Sequence, residues 1–228
     1  MRSGMVFHPQ SPPLFSPNGQ SRRRIVTEER FVFVDIETAG LQTWRPIMQI
    51  AAIAVNSTFR ELEVFEEKIR FDERQAVQRT LRKRHYSRTR WNREARRDRD
   101  VAVDFGAFLA RHATVDVNSG RGKPFVVAQL VAHNAEFDGP FLRMWFERMG
   151  LFFPGAYRVF CTLQRAMWLF HEDRSLTPPT DFKLGTLCDY FGVPLPLDQA
   201  HDALADVRAT VGLYRAINER SRRRQRVA

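Results

Sequence analysis

FVFVDIETAG, residues 31–40, reads as a strand that runs into acid. Phe31 to Val34 form an unbroken apolar run, the mark of a buried strand. Asp35 and Glu37 follow at its end. Side chains alternate along a strand, so residues two apart share a face, and the two carboxylates point the same way. Paired like charges repel unless something positive lies between them. A divalent cation does this best, and oxygen donors of this kind select Mg²⁺ or Mn²⁺. An Asp-x-Glu triplet also arises by chance about once in a chain of this length.

The stretch belongs to a chain of 228 residues, long enough for one α/β domain with a sizeable core. A hydrophobic share of 43% makes the body globular rather than disordered. Cys161 and Cys188 lack metal-ligand spacing and read as reduced thiols, which points to the cytoplasm. No charged stretch leads into an apolar run at the start and no apolar stretch approaches about 18 residues, so neither a signal peptide nor a membrane span is read and no membrane partner is expected.

The net charge of +10 is concentrated in three places. Arg22–Arg24 carry +3, residues 72–99 carry eleven basic against four acidic side chains, and residues 220–226 carry +5. What remains is acidic. An acidic body with basic patches suits a polyanion, although solvated arginine faces give the same composition.

Residues 1–28 are rich in Pro, Ser and Arg and read as a disordered leader. Residues 30–35, 48–55 and 62–71 read as an antiparallel meander of three strands. A basic helical stretch is predicted over 74–97, a helix over 101–113, a buried strand over 124–133 and a helix over 136–150. The last carries Gly139-Pro140 in its first turn. A short strand at 157–162 precedes helices at 162–170, 183–191 and 201–219, and an Arg-rich tail occupies 220–228. Strands followed by helices that alternate with strands imply a mixed sheet flanked by helices.

Two further segments bear chemistry. In VAHNAEFDGPFL (131–142) a strand ends at His133-Asn134 and a helix opens with Asp138 in or near its first turn. A carboxylate is favoured there, as a simple cap or as a ligand. In AHDALADVRATVGLY (200–214) a helix presents His201 at its start and Asp206 in its second turn.

These three segments together resemble the DEDDh, or DnaQ-like, exonucleases, a group that includes proofreading subunits, ribonuclease T and oligoribonucleases. DIET (35–38), HNAEFDGPFL (133–142) and HDALADV (201–207) look like the three exonuclease motifs, and FKLGTLCDYFGVPLP (182–196) looks like the segment before the third. The resemblance covers about residues 30–217, and the His five residues before Asp206 marks the His subclass. Ala39 departs from it, standing where many relatives carry Thr.

The resemblance implies a ribonuclease H-like fold: a mixed five-stranded sheet flanked by helices, within a domain spanning 29–219. It also implies 3′→5′ hydrolysis that releases nucleoside 5′-monophosphates with two Mg²⁺ or Mn²⁺ ions. Asp35, Glu37, Asp138 and Asp206 would hold the ions, and His201 would take the proton of the attacking water. Thr38, Leu41 and Asn134 would meet the substrate. Tyr86 and Trp91 either stack bases or pin the basic segment to the body. The expected substrate is single-stranded or frayed DNA, with RNA as the alternative and an idle nucleic-acid-binding module third; a polymerase or other replication partner is possible.

Overall fold

The computed structural model describes residues 28–83, 86–195 and 202–227. β1 (Arg30–Thr38), β2 (Ile47–Asn56) and β3 (Glu61–Lys68) form the expected antiparallel meander. β2 is buried along its whole length, which fits the apolar run MQIAAIAV. β3 stops three residues short of the expected Phe71, and Ile69 makes a single bridge to Arg96 instead.

The basic stretch is not one helix. It comprises a 3₁₀ turn (Glu73–Gln75), α1 (Gln78–Lys83) and α2 (Arg88–Glu94), and Ser87 starts α2 by accepting the Arg90 amide on its hydroxyl. α3 (Asp98–Arg111) follows.

The expected strand over 124–133 is two strands. β5 (Pro124–Val127) leaves the main sheet and pairs with β4 (Val115–Asn118), a strand the sequence reading missed. β6 (Gln129–Ala132) then runs parallel to β1. The switch falls at Ala128, whose backbone exchanges hydrogen bonds with the Pro154–Ala156 segment. Gly155 permits that approach, because a Cβ there would lie 2.6 Å from the Phe153 ring.

α4 (Ala135–Arg148) begins one residue earlier than expected, so Pro140 lies in its second turn rather than its first. The expected strand over 157–162 shrinks to β7 (Phe160–Cys161), which pairs with β6. α5 (Thr162–Glu172), α6 (Leu184–Phe191) and α7 (Ala203–Val227) complete the chain. α7 continues through the expected tail, and the Arg220 guanidinium bonds the Asp173 carboxylate at 3.0 Å. The leader, apart from Glu28, lies outside the described residues.

The main sheet has the order β3-β2-β1-β6-β7. Val32, Val34 and Ile36 face a core built with Phe105, Leu109, Leu142 and Trp145 of α3 and α4. Phe31 and Phe33 face the other way, onto Ala203 and Val207 of α7. α5 and α6 pack on the far side of α7 through Leu169, Leu187 and Leu213. This is the expected mixed five-stranded sheet between helices. No helix among the described residues is long and apolar enough to cross a membrane.

Candidate active site

The alternation of β1 decides where its acids go. Phe31 and Phe33 point toward α7, so Asp35 and Glu37 continue that face past the end of the apolar cluster. Asp206 comes to meet them from α7, one residue before the buried Val207. Asp202 starts that helix by accepting the amides of Leu204 and Ala205 at 3.1 and 3.2 Å. The start at Ala203 puts Asp206 in the first turn, not the second. One carboxylate oxygen from each of Asp35, Glu37 and Asp206 lies within 4.8 Å of the others. Glu37 is only 4% exposed.

Asp138 approaches the same strand end from the opposite layer. It sits in the first turn of α4, 3% exposed, with its carboxyl against the backbone amides of Ile36 and of Asp138 itself. Burial pushes its pKa well above the usual carboxylate range, and the two amides only partly oppose this. Ile36 lies between Asp35 and Glu37, so all four acids of the sequence reading stand around one strand terminus. Asp138 is outside the 4.8 Å trio. Gly139 lets α4 come close to the chain before β7: a Cβ there would lie 3.2 Å from Val159 and from the Arg143 guanidinium.

The donor set fits a hard divalent cation. Oxygens on opposite sides of such an ion stand about 4–5 Å apart, the span of the trio. The expected proton acceptor, His201, lies outside the described residues.

The three expected substrate residues differ from one another. Thr38 is buried, and its hydroxyl donates to the Gly40 carbonyl at 2.7 Å, shaping the loop that leaves β1. Leu41 on that loop is 80% exposed. Asn134 is exposed in the left-handed region (φ 63°, ψ 51°) and makes no side-chain cap to α4. Asn tolerates this region better than other residues with a Cβ, which suits it to the turn into α4.

His133 is a positioning residue the sequence reading passed over. Its Nε2 faces the Phe182 carbonyl at 3.1 Å and therefore carries the hydrogen, while Nδ1 accepts from the Thr162 hydroxyl at 2.8 Å. Burial lowers its pKa. The ring ties the end of β6 to α5 and to the segment before α6. Its signal was a histidine at the end of an apolar strand.

Ala39, the departure from the resemblance, has a packing reason: it is fully buried beside Met48, Leu81, Trp91 and Ala95. Its amide donates to the Pro46 carbonyl, and its carbonyl accepts the Val77 amide at 2.8 Å. The basic segment thus rests on the loop beyond the acids. Trp91 is buried and donates to the Ile69 carbonyl at 3.2 Å; Tyr86 packs against it with the rings tilted and donates to Glu73 at 2.7 Å. Both pin the segment to the body.

A family model described as the 3'-5' exoribonuclease Rv2179c-like domain matches residues 30–218. The chain belongs to this Rv2179c-like family. No curated protein is matched by the sequence. Among solved structures, E. coli exonuclease I in complex with a dT13 oligonucleotide is similar at TM-score 0.68 and 20% identity, over 86% of this chain and 42% of that one. The zinc-bound E. coli exonuclease I–ssDNA complex gives 0.67 and 20%, over 86% and 42%. A complex of exonuclease I with SSB-Ct gives 0.66 and 19%, over 86% and 42%. The Rv2179c-like chain spans about two fifths of the length of these neighbours and shares their fold.

Proposed function

We propose that this Rv2179c-like chain trims single-stranded RNA from its 3′ end, releasing nucleoside 5′-monophosphates in a reaction that depends on two Mg²⁺ or Mn²⁺ ions. The observation that carries the reading is the convergence of Asp35, Glu37 and Asp206 within 4.8 Å beside the buried Asp138. The choice of RNA rests on the family description that covers residues 30–218. Single-stranded DNA is the second reading, favoured by neighbours of the same fold that hold DNA oligonucleotides.

Asp35, Glu37, Asp206 and Asp138 would hold the ions. Bound ions supply charge compensation at the phosphate and make water a nucleophile at neutral pH. Asp138, seated on the Ile36 amide, fixes the α4 side of the cleft. His201 accepts the proton of the attacking water, and the 3′-oxygen leaves in line with the attack. Leu41 and the backbone after Thr38 meet the terminal nucleotide, and Asn134 meets its sugar or phosphate. Residues 29–219 form the catalytic domain.

The test is digestion of 5′-labelled and 3′-labelled RNA and DNA oligomers with Mg²⁺, Mn²⁺ or EDTA. Stepwise shortening from the 3′ end, mononucleotide products, faster loss of RNA and silence in EDTA are expected. Cleavage from the 5′ end, internal cuts, or inertness toward both polymers would overturn the reading.

A further inference from the structure

The loop that leaves β1 and the basic segment are tied together in three ways. The Val77 amide donates to the Ala39 carbonyl at 2.8 Å, the Arg45 guanidinium donates to the Gln75 carbonyl at 2.6 Å, and Ala39 shares an apolar cluster with Leu81 and Trp91. Arg148 of α4 also bonds the Trp44 carbonyl. The loop is therefore held in place from both sides, immediately beyond the acids.

Trp44 remains 53% exposed on that loop. The Arg45 guanidinium lies over its ring, 4.1 Å from the centroid. An aromatic ring backed by a fixed cation makes a stacking platform for a nucleobase.

The arginines nearby divide into two kinds. Arg74, Arg88, Arg90, Arg93 and Arg97 pair with Asp72, Glu73, Glu94 or Asp100. Their charge is already answered. Arg79 and Arg82 of α1 are exposed and make no ion pair among the described residues. They lie three residues apart on a short helix whose Leu81 is buried against the loop.

We propose that the rim formed by Trp44, Arg79 and Arg82 is the track for the single strand upstream of the cleaved 3′ end. Trp44 stacks one base, and the two arginines hold phosphates. This rests on the exonuclease reading for its polarity, and it assigns binding to two of the segment's eleven basic residues. Unpaired guanidiniums release counterions on meeting phosphate, whereas acid-paired ones have little charge left to offer.

The test measures anisotropy of labelled RNA and DNA strands, about 12 nucleotides long, with a phosphorothioate at the 3′ terminal linkage to block digestion. Arg79→Ala/Arg82→Ala is compared with Arg93→Ala/Arg97→Ala, which removes the same charge from exposed, paired positions. The first pair is expected to weaken binding about tenfold and to reduce the salt slope by about 1.4, and the second to stay within about twofold. Trp44→Ala is expected to lose about fivefold on an ordinary strand and none on a strand with abasic upstream positions. Equal losses from both double variants, or no loss from the first, would sink the proposal. So would a first pair that binds the strand normally yet fails to bind an acidic peptide, since the rim would then be a protein dock. Failure of the exonuclease reading looks different: wild-type protein leaves an unprotected strand intact while the same pattern of binding losses persists.

Discussion

Asp35 and Glu37 are placed by the shortest of rules, the alternation of a strand, and everything chemical about them depends on what stands opposite. Asp35→Ala is expected to lower the nuclease rate on the order of 10³-fold, the loss of about 4 kcal/mol of charge stabilisation. The same change relieves repulsion with Glu37 and Asp206, so the melting temperature should hold or rise; a variant that melts earlier and keeps its rate would argue against the cluster. Asn134 separates backbone from side chain. Asn134→Ala loses the tolerance of the left-handed region that an Asn side chain gives and is expected to cost about 1 kcal/mol, whereas Asn134→Gly accommodates φ 63° without that cost. If the amide meets substrate, the glycine variant should keep its stability and still raise KM several-fold. Unchanged KM in the glycine variant would leave Asn134 a purely structural role.

The basic segment is the element whose stability bears most directly on the site. Trp91 is 7% exposed and anchors α2 to Ile69, so Trp91→Ala is expected to cost about 3–5 kcal/mol in denaturant melts. Glu73 adds a pH-dependent tie, because Arg88 first and then the Tyr86 hydroxyl hold its carboxyl down to about 2, against 4.5 for an ordinary glutamate. A depressed carboxyl stabilises the fold above its unfolded pKa and loses that contribution as pH falls from about 4.5 toward 2. Amides of residues 73–95 should therefore exchange faster, relative to their intrinsic rates, as pH is lowered through that window. Glu73→Gln should weaken this local pH dependence, leaving the part that Glu94, held down to about 2 by Lys68, Arg93 and Arg90, contributes; a variant with the wild-type profile would assign it elsewhere. Both faults are expected to reach the active site, since Ala39 joins the segment to the loop after β1.

At the scale of the whole molecule, the acids of two helices and one strand meet only when α4 and α7 are packed on opposite faces of the sheet. A cation that binds this folded arrangement and not the open chain must stabilise it by mass action. Saturating Mg²⁺ or Mn²⁺ is expected to raise the melting temperature by about 5–10 °C, and Asp206→Asn to remove most of that shift. An equal shift in both proteins would place ion binding outside the cluster. Much of this architecture was legible from the chain alone: the meander, the strand carrying Asp35 and Glu37, the helices carrying Asp138 and Asp206, and the family resemblance their order implies. Those features follow from side-chain alternation and helical period, which are set within a few residues. Folding in three dimensions decided the rest. It moved β5 into a second sheet with β4, put Trp91 inside and Trp44 outside, made Ala39 the seat of the basic segment, and sorted its arginines into those answered by acid and those left exposed. Such choices depend on which distant surfaces pack best against one another, a free-energy comparison across tens of residues that no local pattern contains.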